Sequence, residues 1–269
     1  MTRWRSILFV PANRPDLAAK APRGAPDLIV LDLEDAVPPQ EKALAREGLA
    51  GPVATVRDAG VAVAVRVNPV GTEWCQADLD GLPDGIEAVV VPKLDTPEHA
   101  AVVTARGLPV MAGIETVRGA VTAADWLGDG LAACYFGAED YITDLGGMRT
   151  PGNDEVATAR AMVAMAARLA GIPALDMITV DFRDDERFRR EASEARALGY
   201  AGKMCIHPAQ VALANEVFTP SPDELDRARR LLAAYDDAVS AGRATLAFEG
   251  EMVDEVIARR ARALLAALH

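Results

Sequence analysis

Carboxylates recur at the ends of short apolar runs in this chain. Glu34 and Asp35 close LIVLDLED, Glu115 follows VMAGI, and Glu139 and Asp140 end ACYFGAED. Two further runs, VAVRVN and AVVVPK, carry the cations Arg66 and Lys93 at their ends. If each run is a strand of one parallel barrel, residues at the strands' C-terminal ends converge on a single mouth. Carboxylates gathered in a small volume resist ionising together unless a hard cation such as Mg2+ or Ca2+ neutralises them. The pattern therefore predicts a divalent-metal enzyme. Glu115 and Asp140, on adjacent strand ends, are the pair placed to seat one Mg2+ and to leave positions for water and a chelating substrate. Either could instead be an acid favoured by a helix N-terminus.

The remaining charges divide in the same way. If the strand persists, Glu34 and Asp35 point to opposite faces, so at most one faces the metal directly; a contact through water, or helix capping, suits both. Arg66 lies within a strand where an uncompensated cation is costly, so it must reach a carboxylate or the mouth. Its planar fork suits a substrate carboxylate or enolate oxygen, or a buried ion pair with a rim acid. Lys93 balances rim charge, and His207 in KMCIHP reads as a hydrogen-bond anchor at a strand end.

The elements that must position these residues follow from periodicity and breakers. Strands are predicted near 5–11, 27–34, 62–68, 88–93, 109–115, 132–138, 176–181 and 202–206. Helices are predicted near 14–21, 39–58, 72–80, 97–106, 118–127, 153–171, 184–198 and 208–217. Near-continuous apolar strands alternating with helices predict an α/β fold, a closed (β/α)8 TIM barrel, with a doubly wound open sheet as the alternative. Past residue 218 the rhythm changes: Ser221 and Pro222 open a ninth helix, followed by ATLAFEGEMV and a last helix. The chain thus divides into a barrel over 1–218 and a C-terminal extension over 219–269.

Composition narrows the classes. With 51% hydrophobic residues the 269-residue chain can bury a full core, and a formal charge of −12 without clustered Lys or Arg argues against nucleic acid. Cys75, Cys134 and Cys205 are few and scattered, as in reduced buried thiols of a cytoplasmic protein. The N-terminal apolar run is short and lacks a cleavage site, and no run reaches membrane-spanning length. The three histidines, His99, His207 and His269, have no zinc spacing, and no G-x-S-x-G or Walker motif is present. The G-x-G-x-x-A at Gly128 leads from helix into strand, the reverse of a dinucleotide fingerprint.

Taken in order, SILFVPANRP, VLDLEDAV, VRVN, VPK, IETxRG, FGAED, KxCIHP and FEGEMVD run from residue 6 to residue 254. Together they resemble the CitE-like (citrate lyase beta-subunit-like) branch of the HpcH/HpaI aldolase superfamily. The resemblance implies a barrel dependent on Mg2+, or Mn2+ in its place, that makes or breaks a carbon–carbon bond between an acyl-CoA and a keto acid. It implies Glu115 and Asp140 as metal ligands, Arg66 as the residue beside the metal that binds substrate oxygen, and Glu34 and Asp35 as acids holding water on the metal. Phe9, Arg14 and Lys20 occupy the stretch that lines the coenzyme A site in relatives. Asp254 matches an acid that a neighbouring subunit's C-terminal segment swings over the site, which implies a homo-oligomer, trimer or hexamer, acting in trans. An N-cap for the last helix is the plainer role for Asp254.

Malyl-CoA, citramalyl-CoA and related β-hydroxyacyl-CoA thioesters are the implied substrates, cleaved or formed by condensation. Relatives also include malyl-CoA thioesterases and citryl-carrier lyase subunits. The chain ends soon after its last helix, which resembles stand-alone CoA-dependent members more than a carrier-bound subunit. Ala12 departs from the Gly of many members, a change that narrows the backbone's approach to a CoA phosphate. A non-catalytic scaffold is the third class, against which the presence of Glu115, Asp140 and Asp254 counts.

Overall fold

The computed structural model describes residues 4–128 and 130–266. His269 therefore lies outside the described residues. Eight strands form the closed barrel: β1 Ser6–Pro11, β2 Leu28–Asp32, β3 Ala62–Arg66, β4 Ala88–Val91, β5 Val110–Ile114, β6 Leu131–Phe136, β7 Ala174–Asp176 and β8 Gly202–Cys205. All neighbours pair in parallel, and β1 pairs with both β2 and β8. That closure excludes the open doubly wound sheet, which would leave two unpaired edges.

Residue alternation explains how the strands serve two layers. Ile7, Leu28, Val30, Ala64, Val90, Met111, Tyr135 and Met204 belong to one buried cluster, with Phe9 packed against it. Their sequence neighbours Leu8, Ile29, Leu31, Val63, Val65, Val89 and Val91 belong to another, shared with the helices. Side chains alternate across a strand, so the first set fills the barrel and the second faces the helical ring. Each such Val or Leu removed from water contributes about 1.5–3 kcal/mol, and Val90→Asp would replace that gain with an unpaired buried charge. Continuing the inward parity carries Asp32, Arg66 and Glu115 to the mouth.

Around the barrel lie α1 Pro15–Ala18, α2 Lys42–Glu47, α3 Ala50–Asp58, α4 Cys75–Asp80, α5 Pro97–Thr104, α6 Val117–Trp126, α7 Ala138–Leu145, α8 Asp154–Ala170, α9 Asp185–Leu198 and α10 Pro208–Val217. Two of these, and one strand, differ from the sequence reading. The segment 39–58 is a single 3-10 turn followed by two helices, broken at Gly48. Helix α7 was not expected at all, and it holds Glu139 and Asp140 in its first turn rather than at a strand end. Strand β7 lies earlier than 176–181, because side chains bind the carbonyls beyond it. Lys203 Nζ donates to Met177 O at 2.7 Å and Gln210 Nε2 to Thr179 O at 2.8 Å.

By its internal contacts the chain forms two compact units, Met1–Phe218 and Thr219–His269. In the second, α11 Pro222–Ser240 opens with a full capping box between Ser221 and Glu224. Strands β9 Leu246–Phe248 and β10 Glu251–Val253 form an antiparallel hairpin. Its two turn residues, Glu249 and Gly250, both have positive φ, as a type I′ turn requires. With α12 Glu255–Ala266, this unit buries Ala228, Leu231, Tyr235, Val253 and Ala258. Among the described residues no helix is long and apolar enough to cross a membrane. Cys75, Cys134 and Cys205 are buried free thiols, and burial pushes Cys134 and Cys205 up to about 12.

Candidate active site at the barrel mouth

A hollow of about 470 Å³ opens at the C-terminal ends of the strands. Asp32, Asp35, Arg66, Glu115, Glu139 and Asp140 line its charged side, and Phe9, Val10, Pro11, Ile178, Met204 and Ile206 its apolar side. Of the residues singled out in sequence, Phe9, Asp35, Arg66, Glu115 and Asp140 meet in this one place. Arg14 and Lys20 are not among its lining residues. Arg14 forks to Asp16 at 2.8 and 3.0 Å, and Lys20 lies 3.7 Å from the same carboxylate.

Arg66 is fixed by strand register. Asp32 on β2 stands directly across from it on β3, so the two meet as a cross-strand pair. Two bonds of 2.7 Å join the guanidinium Nε and Nη2 to the Asp32 carboxylate. The remaining nitrogen lies 3.0 Å from Glu34 Oε2, and the Phe9 ring lies beneath the guanidinium at 5.0 Å. Asp32 also accepts from the Glu34 and Ala36 amides, at 2.9 and 3.2 Å. Asp32 was not singled out in the sequence reading: its inward parity is legible there, but its place opposite Arg66 comes only from the strand register.

Glu34 follows the end of β2 and is buried, whereas Asp35 is exposed at the rim. Lys42 holds the turn between them and the strand by donating to the carbonyls of Leu33 and Glu34, each at 2.6 Å. Sequence offered no sign of that role. Besides Arg66, Glu34 meets Lys93, whose Nζ donates to Oε1 at 2.7 Å. Burial pushes the Glu34 carboxyl up to about 7: the nearby Glu115 adds to the rise, and Arg66 and Lys93 oppose it.

Glu115 sits one residue beyond β5 and is 2% exposed. Its room is made by Gly137, where a β-carbon would stand 2.5 Å from Glu115 Cγ. Burial raises its carboxyl above the ordinary range, against the pull of Arg66 and Lys93. Glu115 Oε2 is buried without a hydrogen-bond partner, a costly state for a carboxylate oxygen. Asp140 is half-exposed in the first turn of α7, with Oδ2 3.3 Å from Lys93 Nζ. Glu139 beside it lies 3.6 Å from Arg149. His207 caps α10 by accepting from the Ala209 amide at 3.2 Å and stacks on Phe182, with ring centroids 4.6 Å apart.

These residues fit a divalent cation. Among the described residues, the ion pairs of Asp32, Glu34, Glu115 and Asp140 in the mouth are with Arg66 and Lys93, which leaves two negative charges unbalanced within these six groups when all are ionised; Asp35 and Glu139 line the same hollow. The donors are hard oxygens, two of which, Glu34 Oε2 and Glu115 Oε2, are buried without a hydrogen-bond partner. Among the described residues no three His, Cys, Asp or Glu side chains gather into a ready-made metal cage. Mg2+, which keeps several waters and takes few protein ligands, suits such a carboxylate-lined mouth.

In the second unit, Asp254 caps α12, its Oδ1 accepting from the Ile257 amide at 3.1 Å. That is the plainer of the two roles its position suggested, and it leaves the other carboxylate oxygen for a further one.

Comparison with known proteins agrees with this geometry. The chain is 48% identical to a citrate lyase subunit beta-like protein of Deinococcus radiodurans, over 97% of this chain and 96% of that one. It is 34% identical to a (3S)-malyl-CoA thioesterase of Cereibacter sphaeroides, covering 98% and 94% of the two chains. Among solved structures, CitE from Mycobacterium tuberculosis in complex with magnesium, acetoacetate and coenzyme A superposes with a TM-score of 0.84 at 34% identity, covering 98% of this chain and 97% of that one. The family model for HpcH/HpaI aldolase/citrate lyase matches residues 5–208, and the chain belongs to that family.

Proposed function

We propose that this protein is a Mg2+-dependent lyase acting on CoA thioesters, which cleaves a β-hydroxyacyl-CoA to a keto acid and an acyl-CoA or runs the reverse condensation. The observation that carries the reading is the gathering of Glu115, Asp140 and Arg66 in one carboxylate-rich mouth. Glu115 and Asp140 would hold the cation, and Glu34 and Asp35 would order water around it. When bound, the ion supplies Lewis acidity toward a chelating carboxylate and its neighbouring oxygen.

Arg66 is the chain's own source of charge stabilisation. Held by Asp32, its guanidinium needs no rearrangement to steady negative charge that develops on a substrate oxygen. In the cleavage direction the substrate hydroxyl passes its proton to Asp254 by way of water in the mouth. The carbon–carbon bond breaks, its electron pair passes to the thioester as an enolate, and Asp254 returns a proton to that carbon. In condensation the same carboxylate removes the proton. We assign Asp254 to this step in trans, from a partner copy in a homo-oligomer, with the C-terminal unit as the cap. Phe9, Arg14 and Lys20 are assigned to the coenzyme A side. The subunit is assigned to the cytoplasm, where acyl-CoA and keto acids meet.

Thioester hydrolysis at the same mouth is the second reading, favoured by the similarity to the (3S)-malyl-CoA thioesterase. One experiment separates them: malyl-CoA and citramalyl-CoA incubated with Mg2+, wild type beside Glu115→Ala. Chelator-sensitive release of a keto acid together with an acyl-CoA, lost in the variant, is the expected result. Free CoA without a keto acid moves the assignment to hydrolysis, and no turnover in either direction overturns both.

A further inference from the structure

Lys93 occupies a position the proposed chemistry does not use. It follows β4 through Pro92 with φ of 54°, in the left-handed region that a lysine enters only at a cost. Strained backbone of this kind persists where the surroundings over-determine it. Here the strain accompanies a side chain whose ammonium lies among three carboxylates: 2.7 Å from Glu34 Oε1, 3.3 Å from Asp140 Oδ2 and 3.7 Å from Glu115 Oε2. Arg66 is committed elsewhere, by two bonds to Asp32 and one contact to Glu34. Among the described residues, Lys93 is the cation that links Asp140 to the two glutamates.

We propose that Lys93 is a positioning residue for the divalent cation: it holds Glu34, Glu115 and Asp140 around one point and competes with the ion for their oxygens. The inference rests on the reading that Glu115 and Asp140 hold that ion. Charge arithmetic gives the direction. With Asp32, Glu34, Glu115 and Asp140 all ionised against Arg66 and Lys93, these six groups are short of two positive charges; without Lys93 the shortfall is three. Loss of the ammonium therefore strengthens attraction for the ion and strengthens repulsion among the carboxylates when no ion is bound. A lysine that only packed against its neighbours would change neither in this opposed way.

The test is calorimetric titration of Mg2+ into metal-stripped protein, with melting temperatures in chelator and in Mg2+. Wild type is compared with Lys93→Met, with Lys93→Gly, which relaxes the backbone as it removes the charge, and with Lys93→Arg, which keeps the charge. Both neutral variants are expected to bind Mg2+ at least tenfold more tightly than wild type. They melt lower in chelator and recover more on adding Mg2+, while Lys93→Arg stays within a few-fold of wild type. Equal or weaker Mg2+ affinity in whichever neutral variant folds, beside a wild type that binds, overturns the assignment of Lys93 alone. A wild type that binds neither Mg2+ nor Mn2+ overturns the metal seat, and this inference with it.

Discussion

Replacing Gly137 by alanine adds one methyl group hard against Glu115. The new β-carbon would meet Glu115 Cγ at 2.5 Å and the Cδ and Oε1 atoms at 3.0 Å. Ordinary carbon contacts lie near 3.5–4.0 Å, so the carboxylate must retreat by about 1 Å. The backbone does not resist, since φ of −98° and ψ of 97° are open to alanine. Nearly all the cost therefore falls on the position of Glu115, which is buried with an orphaned oxygen. A misplacement of about 1 Å in a reacting site costs on the order of 100-fold in rate. Loss of one well-placed ligand oxygen weakens Mg2+ binding by at least about tenfold, or roughly 1.4 kcal/mol. Calorimetric titration with Mg2+ and steady-state kinetics read the two effects. In a Glu115→Ala background the stability cost of Gly137→Ala is expected to vanish, because the clashing atoms are gone. Unchanged metal affinity and turnover in Gly137→Ala would refute the placement of Glu115 as a ligand.

Arg66→Lys keeps the charge but not the fork to Asp32. It is expected to lower stability by about 3 kcal/mol, as broken buried pairs do, and kcat by at least about 100-fold, measured by urea unfolding and kinetics. Stability of the metal-stripped protein is expected to fall as pH rises from about 5 to about 8. The Glu34 carboxyl, raised from 4.5 to about 7 chiefly by burial, keeps its proton in the folded state after the unfolded chain has lost it. Glu34→Gln should reduce the slope; stability that increases with pH over this window would contradict the shift. Asp254→Asn keeps an N-cap of equal quality, so its melting temperature should match wild type while turnover falls at least about 100-fold. Turnover that survives in Asp254→Asn would reduce Asp254 to its capping role.

The barrel was legible because its strands write their burial on both faces: AVVV and LIVLD leave little choice but a sheet covered on each side. The convergence of Glu115 with Arg66 followed from that geometry alone. What stayed hidden depended on contacts between segments distant in sequence. Asp32 reads as one more strand-end acid until register sets it opposite Arg66. Lys42 looks like an ordinary helix residue, yet it closes the Leu33–Glu34 turn from nine residues away. Helix α7 is short and begins without a side-chain cap, so its acidic first turn and the glycine at its end were the only local signals. The shift of β7 has a similar origin, since the apolar MITV run suits a strand until Lys203 and Gln210 bind its carbonyls.

A divalent cation seated by Glu115 and Asp140 is the claim on which the rest depends, and anomalous diffraction from crystals soaked in Mn2+ tests it most directly. One strong peak within coordinating distance of both carboxylates, lost in Glu115→Gln crystals, is the predicted result. A peak seated on other side chains, or no peak in the mouth at saturating Mn2+, would contradict it.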